Sequence, residues 1–250
     1  GGEVQTRWYI KDGTNNGNLS DIDTAHIVPV DLNAYLENNA RILSCLYAKL
    51  GNAAKSAHYR HQATKLLRAI EAILWQEDRG IWLDYDLKNL KSRDYFYMSN
   101  FAPLWTGSYT KTKGELTKRV LHYLDESKVG EYVGGVPSSH YPSGEQWDFP
   151  NGWPPQQSIL IEGLLRLQTP AAVRTARLYA DKWLRSNYKG YQVFGKMFEK
   201  YDVELCGQTG TGGEYEAQTG FGWTIGVNMQ ILNHWGRYIN LHDNTSSPCL

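Results

Sequence analysis

No stretch of this chain approaches the ~20 apolar residues that a helix needs to cross a bilayer. Its first residues, interrupted by Glu3, Gln5, Thr6 and Arg7, lack the apolar core of a secretory signal. There is no surplus charge either: 26 lysines and arginines stand against 26 aspartates and glutamates. That balance argues against a nucleic-acid or membrane-surface partner, both of which want a basic excess. The three cysteines (Cys45, Cys206, Cys249) are too few and too scattered for a disulfide framework or a zinc site. Cys45 falls in a helical pattern and is expected as a small buried hydrophobe. No internal repeat and no low-complexity tract stands out. Residues 207–213 are glycine-rich but lack the lysine and following helix that a phosphate-cradling loop requires.

What is present is helical period, over a length sufficient for one large domain. Leu32, Tyr35, Leu36, Leu43, Leu46, Tyr47 and Leu50 follow the three-four spacing of one buried helix face, with Asp31 as N-cap and Gly51 as stop. A second helix sets Ala63, Leu66, Leu67, Ile70, Ile73 and Leu74 on one face. A third covers about 156–167. A fourth opens on Thr169 and Pro170 and buries Val173, Ala176, Ala180, Trp183 and Leu184. A fifth runs over about 224–235. Between them lie long aromatic and glycine-rich stretches, 78–113, 129–155 and 188–222, which predict functional loops. Residues 242–250 read as a polar tail. Helix pairs joined by short turns at one end and long loops at the other describe an α/α toroid, although period alone does not separate a toroid from a bundle.

The densest chemistry lies in Gln146-Trp147-Asp148-Phe149-Pro150-Asn151-Gly152-Trp153-Pro154-Pro155. Three prolines stiffen the backbone before any ligand arrives. Two indoles offer flat faces to sugar C–H groups, and the carboxylate and amides offer hydrogen bonds to hydroxyls. A structural proline-rich loop anchored by its tryptophans is the competing reading.

These ten residues resemble a sequence signature of the trehalases, inverting glycosidases that split trehalose into two glucoses. The resemblance includes Val28-Pro29-Val30-Asp31-Leu32-Asn33, Trp82-Leu83-Asp84-Tyr85-Asp86 and Ser99-Asn100-Phe101-Ala102-Pro103-Leu104-Trp105. It continues through Phe198-Glu199-Lys200-Tyr201-Asp202-Val203, Gly212-Gly213-Glu214-Tyr215 and Gly220-Phe221-Gly222-Trp223-Thr224, all in family order. It implies an all-α fold, the carboxy-terminal part of an (α/α)6 toroid, over a domain of residues 1–241. It also implies trehalose as substrate, with no cofactor and no metal.

Glycoside hydrolysis by inversion needs an acid and a base, with room for a water between them. The resemblance makes Glu199 the base; a surface glutamate paired with Lys200 is the alternative. Gly1-Gly2-Glu3-Val4-Gln5-Thr6-Arg7-Trp8 aligns with the family block that carries the acid. Gly1, Arg7 and Trp8 match, but Glu3 stands where the family has aspartate. A carboxyl one methylene longer must find a new position, and a misplacement of about 1 Å costs on the order of 100-fold. Gly1, Gln146, Trp147, Asp148, Trp153 and Glu214 are the expected substrate-binding residues. Ile225 departs from the family's usual asparagine.

Complete trehalases are longer, and their other signature is absent here. An incomplete toroid is expected to expose a large apolar patch, for which the missing amino-terminal half of the domain is the natural partner. Three functions follow: trehalose hydrolysis, a carbohydrate-binding relic without turnover, or a toroidal glycosidase for another disaccharide. Sequons at Asn18 and Asn244 are compatible with secretion or an extracellular anchored form and do not settle the compartment.

Overall fold

The computed structural model describes residues 5–213, 216–239, 241 and 249. The polar-tail expectation for 242–250 falls, apart from Cys249, outside the described residues.

Among the described residues, seven helices carry the fold: α1 (Val30–Lys49), α2 (Ala53–Ala69), α3 (Ala102–Thr106), α4 (Lys113–Glu126), α5 (Pro154–Leu167), α6 (Pro170–Phe194) and α7 (Gly222–Trp235). A π-helical turn, Ile70–Leu74, extends α2. Within α1/α2, α3/α4 and α5/α6 the connections are a few residues long, whereas long loops join one pair to the next. The odd-numbered helices pack side by side, α1 on α3, α3 on α5 and α5 on α7. The even-numbered ones lie behind them: α2 on α1, α4 on α5, and α6 on α5 and α7. Two staggered layers of alternating helices are the geometry of an open part of an α/α toroid, as expected.

Caps explain several of the boundaries. Asn52, Thr112 and Thr169 each accept a hydrogen bond from a backbone N–H in the first turn of α2, α4 and α6, and Pro170 fills the first position of α6. Gly107 ends α3 in the left-handed conformation that favours glycine. Asp31 is not the cap expected of it. Pro29 occupies that position, the Val30 N–H is taken by the side chain of Asp84, and Asp31 lies inside the first turn with its carboxylate on Arg7.

The core runs through α3 to α7, with Phe101, Leu104, Leu160, Leu164, Ala176 and Trp183 fully enclosed. At α1 the expected burial is reversed. The helix turns Val30, Ala34, Ala40 and Ser44 inward, while Leu32, Leu36, Leu43, Leu46 and Leu50 are exposed, Leu50 to 77%. Small inward side chains let α1 and α2 approach closely. The large ones face the open side of the arc, where no described element covers them. On α7, Ile225, Met229 and Leu232 are likewise exposed, so the expected apolar patch is present at both flanks. Cys45, expected buried, is also exposed, on the uncovered side of α1.

The loops differ from the sequence reading in three ways. The 78–113 stretch contains α3, α6 extends seven residues into the expected 188–222 loop, and the loops contain two-residue strands. Ile27–Val28, Tyr85–Asp86 and Lys91–Ser92 form a three-stranded antiparallel sheet, and Asn151–Gly152 pairs with Tyr201–Asp202. Cys206 and Cys249 form a disulfide across 43 residues. The cysteine count argued against a framework of bridges, and that argument does not reach a single bridge.

Candidate functional site

A cleft of about 220 Å³ opens at the loop-rich end of the arc. Its walls come from the start of each odd-numbered helix or the turn before it: Asp31 and Tyr35 on α1, Ser99 ahead of α3, Gln156 and Ile159 on α5, and Trp223 on α7. Gln5 and Arg7 close one side and Trp147 another. Helix N-termini carry partial positive charge, so their convergence favours carboxylates and polar oxygens here. A wider apolar groove, sharing Tyr35, Pro155, Ile159 and Trp223, continues along the inner face.

The Gln146–Pro155 signature builds the cleft wall in layers. Trp147 is half-buried and lines the cleft, stacked on Trp153 at 3.9 Å with the rings nearly parallel. Trp153 is buried behind it, and its indole N–H donates to the Gln146 carbonyl at 2.9 Å. Trp223 leans on Trp153 from α7, at 5.9 Å between rings. The stack fixes one exposed indole face as a rigid platform.

Asp148 is fully buried rather than aimed at the cleft. One oxygen accepts from Thr6 Oγ1 and Ser139 Oγ, the other from the Thr6 backbone N–H and Ser143 Oγ. Four donors saturate the carboxylate, so its effect on the site passes through Thr6. Gln5 adds a bond from its amide to the Trp147 carbonyl, 2.7 Å. The signature loop therefore grips the segment that follows Glu3. Gly1 and Glu3 themselves lie outside the described residues, as does Glu214.

Arg7 anchors the same segment from the other side. Its guanidinium is buried and forms two bonds to Asp84 and two to Asp31, all between 2.6 and 2.9 Å. Burial by itself would lower its pKa, but the two carboxylates outweigh that and raise it well above the usual value. Burial likewise pushes the Asp31 carboxyl up, and Arg7 outweighs it and holds Asp31 below the ordinary carboxylate range. At the cleft edge, burial and then the Asp31 charge push the Tyr35 hydroxyl up to about 12, so it remains a hydrogen-bond donor.

Glu199 is 3% exposed, which removes the surface-pair alternative. Its backbone N–H donates to the Gln218 carbonyl at 2.9 Å, and its Oε2 accepts from the Gln218 N–H at 3.0 Å. The other oxygen has no hydrogen-bond partner among the described residues. Lys200 points away from it: its fully buried Nζ donates to Gln146 Oε1 and to the Gly212 carbonyl and sits 5.2 Å from the centre of the Trp153 ring. Burial lowers the Lys200 pKa, and attraction to Glu199 opposes that. Lys196 is exposed.

Lys200 thus ties together the signature loop, the Glu199 segment and the glycine strand leading to Glu214. Asn151 adds to the knot by accepting from the Thr211 N–H at 2.8 Å. Glycine is required at position 212 for two reasons. Its φ is +77°, and a Cβ there would lie 2.4 Å from the Gly144 carbonyl oxygen. Gly212→Ala is expected to lower stability by about 1–3 kcal/mol, read as a shift in the urea midpoint. An unchanged midpoint would mean that this loop contact is not tight.

Of the residues expected to bind substrate, Trp147 lines the cleft, while Gln146, Asp148 and Trp153 are buried behind or beside it. Sequence reasoning did not single out Gln5, Arg7, Tyr35, Ser99, Gln156 or Trp223 as lining residues. Their common signal is position, since each lies at or just ahead of a helix start or in the amino-terminal segment that the signature loop holds.

A sequence model of the trehalase family matches residues 1–236. Trehalase from Apis mellifera is 46% identical over 244 residues, 97% of this chain and 39% of that protein. Trehalase from Homo sapiens is 41% identical over 236 residues, 94% of this chain and 40% of that protein. The chain spans about two fifths of the length of these relatives. Among solved structures, the neutral trehalase of Saccharomyces cerevisiae superposes with a TM-score of 0.66 at 23% identity, covering 84% of this chain and 38% of that one. A GH63 mannosylglycerate hydrolase from Thermus thermophilus gives 0.61 at 21% identity, covering 84% and 48%. Both likenesses concern the fold.

Proposed function

The chain belongs to the trehalase family, and on that premise we propose that it carries part of the active site for hydrolysis of α,α-trehalose to two glucoses with inversion. The observation that carries this reading is a buried glutamate, Glu199, locked to Gln218 and joined through Lys200 to the Trp153–Trp147 stack beside the cleft. Trp147 offers the sugar an apolar face. Gln146, Asp148 and Trp153 serve binding indirectly, by holding that face and the amino-terminal segment. Glu214 and Gly1 remain proposed sugar contacts.

In the reaction, Glu199 takes a proton from a water. The water oxygen bonds to one anomeric carbon while the bond to the bridging oxygen breaks. Glu3, in the acid position, protonates the departing oxygen. The two carboxyls must stand roughly 6.5–9.5 Å apart for a water to fit. The attacked glucose emerges as the β anomer and the departing one as the α anomer. No metal or cofactor enters this scheme.

The second reading, carbohydrate binding without turnover, rests on the glutamate at position 3 and on the exposed apolar faces of α1 and α7. On either reading, the remaining part of such a domain is the proposed partner of those faces. One experiment separates the two: trehalose is mixed with the purified chain and the first-formed anomers are followed by proton NMR. Equal α- and β-glucose supports inverting hydrolysis. Glucose appearing only as the α anomer would indicate retention and rule the mechanism out. Saturation-transfer signals from bound trehalose, with no glucose, support the second reading.

A further inference from the structure

Helix α2 contains Lys55, His58, Arg60, His61, Lys65 and Arg68 and not one aspartate or glutamate. In a chain of zero net charge this is a strongly one-signed element. Ser56, Ala63 and Ile70 face inward, and His58, His61, Lys65 and Arg68 lie on the opposite side, exposed. At 1.5 Å per residue these four span roughly 15 Å along the axis. His61, Lys65 and Arg68, together with Arg60, Ala57 and Thr64, border a shallow surface groove of about 510 Å³.

Several cations on other elements are paired. Arg41 meets Glu37, Arg79 meets Asp94, Lys111 meets Glu71, Arg119 meets Glu77 and Arg185 meets Asp181. On α2, no cation has a carboxylate within 4 Å among the described residues. The elements packed against α2 offer none to spare. On α1, Asp31 is held by Arg7 and Glu37 by Arg41 and Ser108. In the π-helical turn, Glu71 is held by Lys111 and Thr110. Like charges three and four residues apart, such as Lys65 and Arg68, each cost a helix a few tenths of a kcal/mol. A bound polyanion would remove that repulsion.

We infer that the outward stripe of α2 is a docking surface for a linear sulfated polysaccharide. The shape of the stripe chooses among polyanions. Its uncharged members are Ala54, Ala57 and Thr64, so it has no large apolar side chain to enter a bilayer. Its aromatic neighbour Tyr59 is stacked on Tyr47 rather than presented for bases to stack on. What remains is a row of guanidinium, ammonium and imidazole donors, suited to sulfate groups repeated along an unstacked chain.

The test uses the whole chain and a size-defined heparin hexasaccharide, with binding measured by calorimetry at about 50 mM salt. Binding is expected to weaken with salt with a log–log slope near −2 to −3, as for about three released counterions. Lys65→Glu with Arg68→Glu should lower affinity at least ~10-fold, with an unchanged circular dichroism spectrum. Lys118→Glu on α4 should leave affinity unchanged. Undetectable binding by the wild-type chain overturns the inference, as does equal binding by the charge-reversed chain. Tighter binding to a DNA oligonucleotide or to phosphatidylserine vesicles than to the hexasaccharide overturns the assigned partner.

Discussion

Replacing Arg7 with methionine is expected to destabilise the chain by about 3–5 kcal/mol, the cost of leaving buried carboxylates without their partner. Whole domains are stable by about 5–15 kcal/mol, so the loss is a large fraction of the total. The reasons are local and additive in direction. Arg7 makes four bonds, two to Asp84 and two to Asp31. Asp84 also caps the start of α1 through Val30. Methionine keeps much of the volume and supplies none of the donors. Arg7→Lys should fall between the two, because an ammonium cannot engage both carboxylates in paired fashion.

The pH dependence of that loss has a definite sign. In the native chain Asp31 is held below its ordinary range. Its contribution is therefore present above about pH 4 and is lost as pH falls through the depressed folded value. Without Arg7, burial raises the Asp31 pKa, and the penalty at neutral pH is relieved as the carboxyl takes up a proton. The stability difference between the two chains should be greatest near neutrality and shrink as pH falls, first through the raised pKa of the unpaired carboxyl in the variant and then through the depressed native one. Urea melts at several pH values would show it. A difference under about 1 kcal/mol at neutral pH would mean that the pairs are offset by their own desolvation.

These pairs mark where the sequence stops being legible. Arg7 and Asp84 are 77 residues apart, and nothing periodic links them. Asp31 looked like a cap because caps are local, and its long-range partner was invisible. The helices behaved differently. Period located α1, α2, α5, α6 and α7, since each carries apolar residues at three-four spacing. Helix α4 carries the same signal in Leu116, Val120, Tyr123 and Leu124 beneath a Thr112 cap, whereas five-residue α3 is too short to show a period. At α1, period found the apolar stripe and assigned it to the core. A stripe reports that a face wants covering, not that this chain covers it. The signature loop was read for its chemistry, and in the structure Trp153 backs Trp147, Asp148 holds Thr6 and Gln146 accepts from Lys200.

Glu199→Gln is expected to reduce glucose release from trehalose by about 10²–10⁴-fold, the usual contribution of a general base. The change is nearly isosteric. The amide oxygen can still accept from the Gln218 N–H that Oε2 accepts from now, so the fold and the Trp147 platform should survive. Trehalose binding should stay within a few-fold, because the lost function is proton removal from water rather than contact with the sugar. The acid is separable from the base by choice of substrate. Fluoride leaves an α-glucosyl fluoride with little need of protonation, so that substrate needs the base and largely bypasses the acid. Glu3→Gln should therefore abolish turnover of trehalose and spare turnover of the fluoride, while Glu199→Gln should suppress both. If Glu199→Gln keeps more than about a tenth of the rate on the fluoride, Glu199 does not activate the water. If Glu3→Gln leaves trehalose hydrolysis intact, the longer side chain at position 3 is not the proton donor, and another carboxyl must serve.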